Sequence, residues 1–256
     1  MKHTARFGYA QARLQARHGA RADVQLWRRL AAIGDFTSYL QVARRSTLRP
    51  WVLGMQVTES SHSIELHLRQ QFRRYVDEVA EWLPPQWRDT VRWVKRLPDL
   101  PALQYLMNGE AAPAWMLEDP ELRVFASETI ALRLEAIRNS DRNPLLTAWQ
   151  QGAALPEAWL EQWQHLWPVQ RRTGCGLIYL VHLLRQHLQV LHSAPAVLTD
   201  HQRSQVEHRL ALAFRHYSFE PAAACAHLGL IALDLAKLRG ELAYRLLFAE
   251  TAQVPP

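Results

Sequence analysis

Twelve histidines, two cysteines and one aspartate set in an apolar run are the groups of this 256-residue chain that could do chemistry. A zinc site needs several such ligands converging on one point. The nearest histidine neighbours, His62/His67, His182/His187 and His187/His192, stand five residues apart. On a helix such a pair diverges by roughly 140°. Cys225 and His227 form an isolated pair, and neither His-Glu-x-x-His nor a His-x-x-x-His spacing occurs. His182 and His227, both in apolar stretches, read as core histidines satisfied by neighbours. No phosphate-cradling Gly-x-x-x-x-Gly-Lys or Gly-x-Gly-x-x-Gly loop is present, and no Gly-x-Ser-x-Gly elbow. Gly174-Cys175-Gly176 follows no strand and reads as a helix start, which leaves Cys175 without the setting of a nucleophile. Asp234 lies inside LGLIALDLAKL, where an unpaired carboxylate is costly, so either a partner such as Lys237 or Arg239 or an outward turn to water is expected. The reading is of no catalytic, cofactor-binding or metal-binding residue, no small-molecule substrate, and hence no enzyme.

Charge is the more informative chemistry. The chain carries a formal net charge of +6, and its first fifty residues hold ten lysines and arginines against only Asp23 and Asp35. A basic surface of that kind suits an acidic partner. Arg44, Arg45, Arg49, Arg171 and Arg172 fall near expected helix ends and are the candidate partner-binding residues. Arg13, Arg17, Arg21, Arg28 and Arg29 would attract phosphates, but no helix-turn-helix, RNP sequence or zinc module accompanies them, so nucleic acid is the weaker expectation. The apolar face of the first helix (Phe7, Ala10, Leu14) is narrow for a membrane anchor of its own.

The elements that must position these groups read as helical almost throughout. Ile64, Leu68, Phe72, Val76, Val79 and Leu83 recur at spacings of three and four, with Arg69, Arg73, Arg74, Asp77, Glu78 and Glu81 on the other side. Val24, Trp27, Leu30 and Ala31 form a shorter stripe. So do Phe36, Leu40 and Ala43, and Trp87, Val91 and Val94. Leu122 to Ala136 reads as one helix, and Trp159, Leu160, Trp163, Leu166 and Trp167 as one face of a helix opened by Pro156. Gly176–Leu191, apolar nearly all round, is expected to be the buried central helix. Asp200 is a candidate N-cap for a helix to Tyr217, and a last pair is expected over Pro221–Phe248. Only Trp51–Val57 hints at a strand, and Pro50 and Gly54 make an extended loop an equal reading of it. The expected fold is therefore all-α, about a dozen helices joined by short turns, in a single domain over 1–256. Residues 1–110, 111–198 and 199–250 are its candidate lobes. Two cysteines make no disulfide framework, no secretory h-region opens the chain, and no run of eighteen apolar residues is unbroken, so the cytoplasm is the expected compartment.

A weak internal repeat supports the lobes. LRQQFRRYVDE (68–78) and LALAFRHYSFE (210–220) share Leu, Phe, Arg, Tyr and Glu without a gap, and downstream DLPAL at Asp99 matches DLAKL at Asp234.

FGYAQARLQA (7–16), then WRRLAAIGDFTSYL (27–40), resembles the start of the C-type subunits of V-type ATP synthases, a family that includes the d subunit of vacuolar ATPases. Residues 64–110 look like that family's long helix followed by a pair with an aspartate-leucine motif and a glycine turn, here Asp99, Leu100, Leu103 and Gly109. Phe219–Leu242 is similar to its C-terminal unit, through Pro221, Asp234, Leu238, Arg239 and Gly240. This chain has Leu235, Ala236 and Lys237 where the family places an asparagine soon after the acid. The resemblance implies an all-α funnel of three lobes without catalysis of its own. Such a protein links rotor-shaft subunits to the membrane rotor ring of a V-type rotary ATPase. It would lie in the cytoplasm against the inner face of the membrane and support proton or sodium transport. The alternative is a helical adaptor or scaffold outside a rotary motor, with nucleic acid among its candidate associates.

Overall fold

The computed structural model describes residues 2–57, 60–168, 175–193 and 200–251. All regular structure among them is helical, with no strand, so the chain is all-α with about a dozen helices. The helices are α1 (Lys2–Gly19), α2 (Val24–Ala31), α3 (Phe36–Arg44), the single turn α4 (Arg49–Val52) and α5 (Ser61–Trp82). After them come α6 (Arg88–Arg92), α7 (Leu100–Met107), α8 (Ala114–Glu118), α9 (Ile130–Arg138), α10 (Asn143–Gln150) and α11 (Leu155–His165). The last three are α12 (Cys175–Ser193), α13 (Asp200–His216) and α14 (Pro221–Thr251). Local chemistry sets the starts. Asp23 and Asp35 accept the backbone N–H groups of Leu26 and Ser38 at 2.7 Å, Ser60 accepts that of Ser63, and prolines stand in the first turns of α4, α7, α10 and α11.

All six apolar positions expected along α5 and its end are buried. So, however, are Arg73, Tyr75 and Trp82, because α5 packs on both sides. Arg73 and Tyr75, two residues apart, point roughly 200° from each other. Arg73 reaches the segment from α7 to α10, whereas Tyr75 faces α4 and α14. Periodicity read from one stripe treats the opposite side as solvated, and for Arg73 that is corrected.

Three further expectations are also corrected. Residues 122–136 do not form one helix: a 3-10 turn (Arg123–Phe125) ends at Ala126, and Thr129 caps a separate α9 whose Leu132 is exposed. The C-terminal pair is one helix, α14, which keeps its course through Gly229 and Gly240 because it is packed against α13, α5, α12, α3 and α1. The central helix is thus α14 and not α12, whose Ile178 and His182 face outward. The stretch of α14 from Pro221 to Leu247 is long and apolar enough to cross a membrane by composition, with 72% of its most apolar window buried inside this fold. The Trp51–Val57 hint of a strand resolves into the end of α4 and two turns.

One continuous buried cluster runs from Phe7 to Leu242, so the stretches 1–110 and 199–250 share an interior. Tryptophans fasten α11 to the segment before it. Trp93 donates to the carbonyl of Trp159 at 3.1 Å and Trp163 to that of Thr90 at 3.0 Å, while the Trp159 and Trp163 rings stack at 5.7 Å. Gly176 lets α12 meet the α13–α14 corner, since a Cβ there would lie 2.6 Å from the Cβ of Ala222 and 2.8 Å from the Tyr217 ring.

Arginine, 27 residues against three lysines, does much of the fastening. Arg245 near the end of α14 donates to the carbonyls of Leu30 and Ile33, satisfying the last turn of α2, and stacks on Tyr39 with its Cζ 4.2 Å from the ring centre. Arg133 donates to the carbonyls of Glu110, Ser127 and Glu128. Arg73 grips Asp119 with two hydrogen bonds (2.8 and 3.0 Å) and Asp99 with one (2.6 Å). Arg142 joins Asp99, Glu121 and Asp141, and Arg96 joins Glu121 and Asp141. Burial works against ionised Glu121, but the hydrogen bonds and charges of Arg96 and Arg142 outweigh it and hold its pKa at about 2.

Candidate partner-binding cleft

A concavity of about 220 Å³ lies where the second half of α1, the turn into α4, α5 and α14 come together. Its composition follows from helix phase. α1 delivers Arg17 and the turn that follows it Arg21, α5 delivers Arg74 and Glu78 one turn apart, and α14 contributes Asp234. Thr47, Pro50 and Trp51 close one side, Trp51 meeting Tyr75 edge-on at 5.3 Å.

The charges in the cleft are unequally bound. Arg21 holds Asp234 through Nε (2.7 Å) and Nη2 (2.9 Å) and also reaches Glu207 at 3.1 Å. Both members of the Arg21–Asp234 pair are nearly buried, and burial pushes the Asp234 carboxyl up despite its guanidinium partner. Arg17 and Glu78 pair at 3.1 Å with both side chains about half exposed, a geometry that contributes little. Arg74 is exposed and makes no ion pair among the described residues. Behind the cleft the Tyr75 hydroxyl shares a 2.8 Å hydrogen bond with Nε2 of His227, whose Nδ1 has no partner among the described residues. Burial first, then the charges of His18, Arg21 and Arg17, depress His227 to about 3, so it is neutral at pH 7.

The partner of Asp234 is therefore Arg21, brought from 213 residues upstream, in place of the expected Lys237 or Arg239. Lys237 lies over the Trp27 ring and Arg239 pairs with Glu65. His227 is a core residue satisfied on one nitrogen, whereas His182 is exposed. Cys225 is buried, and burial pushes its thiol up to about 12.

Of the candidate partner-binding arginines, Arg45 and Arg49 are exposed beside the cleft wall and make no ion pair among the described residues. Arg44 is turned inward onto the carbonyl of Met55, a bond that spacing alone does not reveal. Arg171 and Arg172 lie outside the described residues. Arg28 and Arg29 add exposed charge on α2 with no ion pair among the described residues, and Asp23 and Asp35, the two acids of the first fifty residues, are spent on capping. Sequence reasoning missed Arg74. The Arg73-Arg74 doublet carries the signal: neighbours on a helix diverge by about 100°, so a partner for one leaves the other free.

Among the described residues no group of three or more histidines, cysteines or carboxylates could hold a metal ion. Comparison with protein-family models, curated proteins and solved structures finds no match to this chain.

Proposed function

We propose that the protein is a docking component whose basic face, around Arg28, Arg29, Arg45 and Arg49, receives an acidic partner. The observation that carries this reading is the imbalance of this stretch of chain: four exposed arginines make no ion pair among the described residues, and both local aspartates are committed to helix starts. Unscreened like charges steer an oppositely charged partner and set its register. The resemblance to the V-type family of C-type and d subunits supplies the particular role. That role is a noncatalytic connector between the central rotor shaft and the membrane ring, at the inner face of the membrane. A torque-bearing part needs an interior that does not yield, and the close-packed core with its arginine clips has that character.

Co-purification with the shaft and ring proteins of the same organism's rotary ATPase tests the reading. Retention of the native chain, and its loss in Arg45→Glu/Arg49→Glu, is expected. Failure of the native chain to be retained, with salt-dependent retention on RNA or DNA instead, overturns the connector role in favour of a nucleic-acid adaptor.

A further inference from the structure

We infer that the cleft of Arg17, Arg21 and Arg74 is a receptor for one carboxylate carried on an apolar peptide segment of the docking partner. The inference deepens the acidic-partner reading and rests on it. The cleft lining contains three guanidiniums and two carboxylates, Glu78 and Asp234, and Glu207 is a second carboxylate on Arg21, so among the described residues one guanidinium charge is left without a direct ion pair. That charge is Arg74, the member with no ion pair among the described residues. Arg21 cannot change partner cheaply, because Asp234 holds it by two hydrogen bonds in a nearly buried setting. It forms a fixed back wall. Arg17 can, because its pair with Glu78 is half exposed, and an incoming carboxylate can share it.

A single guanidinium without an ion pair, beside one exchangeable neighbour, matches a monoanion better than a phosphate dianion. Pro50, Trp51 and Ile231 add apolar surface to the lining, suited to aliphatic side chains flanking the acid. About 220 Å³ admits a side chain and part of its neighbours. The carboxylate can come from an acidic side chain or from a chain terminus, and the two sources are separable by experiment.

The test follows the indole N–H signal of Trp51 by two-dimensional NMR in the full chain, assigned with Trp51→Phe. Four probes are titrated at low salt: acetyl-Leu-Glu-Leu-amide, acetyl-Leu-Leu-Leu with a free terminus, acetyl-Leu-Gln-Leu-amide, and inorganic phosphate. A saturable shift with either carboxylate peptide, and none with the glutamine peptide, is expected; whichever carboxylate binds identifies the source. Arg74→Gln, at an exposed position, weakens that binding about tenfold, the scale of one charged hydrogen bond. Glu78→Gln tightens it about threefold by releasing Arg17. Equal shifts with the glutamine peptide, saturation by phosphate alone, or indifference to Arg74→Gln overturns the inference. Because no rotor protein takes part, silent peptides alongside partner capture that still depends on Arg45 and Arg49 remove the receptor alone. Binding peptides with no capture removes the connector alone.

Discussion

Asp99 and Asp234 begin matching stretches of sequence, and both are buried against arginine, yet they sit in opposite kinds of place. Asp99 is fully enclosed and belongs to a network in which Arg73, Arg96 and Arg142 alternate with Asp119, Glu121 and Asp141. Asp234 has one guanidinium partner, Arg21, at the edge of an open cleft. The difference begins at the aligned arginines: Arg73 turns inward from a helix packed on both sides, whereas its counterpart Arg215 is exposed on α13. A local sequence match therefore preserves a buried aspartate but not its partner, since the partner is chosen by whichever helix crosses there. A fully satisfied network fixes geometry, and a pair at a surface opening leaves neighbouring charges free to bind.

Breaking the enclosed side should cost most. Asp99→Ala strands Arg73 and Arg142 around an uncompensated site, and a loss of about 3–5 kcal/mol in urea unfolding is expected. A loss below that of Asp234→Ala would reverse the ranking drawn here. Asp234→Ala should cost about 1–3 kcal/mol, because Glu207 and solvent at the cleft mouth still serve Arg21. Gly176→Ala, which drives a methyl into Ala222 and Tyr217 where α12 meets the α13–α14 corner, should cost a similar 1–3 kcal/mol, roughly, by overpacking. An unchanged unfolding midpoint would show that α12 sits further from α14 than the structure places it.

Acid sharpens the contrast by a different route. His227 and His18 are depressed in the folded chain, so the unfolded chain binds more protons below about pH 6.5. Stability should fall as pH drops from there toward the folded value of about 3 for His227. Glu121, depressed to about 2, adds a loss that begins below its ordinary pKa of 4.5, reduced by its partial exposure. Denaturation followed between pH 7 and 4 should show His227→Gln flattening the upper part of this slope. An identical slope in that variant would assign the effect to other groups.

The sequence shows why some of this is readable beforehand. Single-stripe periodicity locates Ile64 through Leu83 and the tryptophan face of α11, because burial on one side leaves a 3.6-residue signature. It fails for Arg73 and α14, where contact on several sides erases that signature. Thr129 is a legible cap, but apolar residues on either side of it mask the break between the 3-10 turn and α9. The excess of arginine over acid beside the cleft is countable in the first fifty residues, but Arg74, the unpaired member of the cleft, lies outside them. The meeting of Arg21 with Asp234 is a tertiary fact 213 residues apart, with no local trace.

The most direct test of the central claim, that the unpaired basic face docks a partner while the enclosed network only holds the frame, compares two properties of Arg45→Glu/Arg49→Glu. Its unfolding free energy should stay within about 0.5 kcal/mol of the native chain, as expected for exposed positions, while capture of purified rotor-shaft and ring proteins is lost. Capture that survives the charge reversal undiminished would contradict the account.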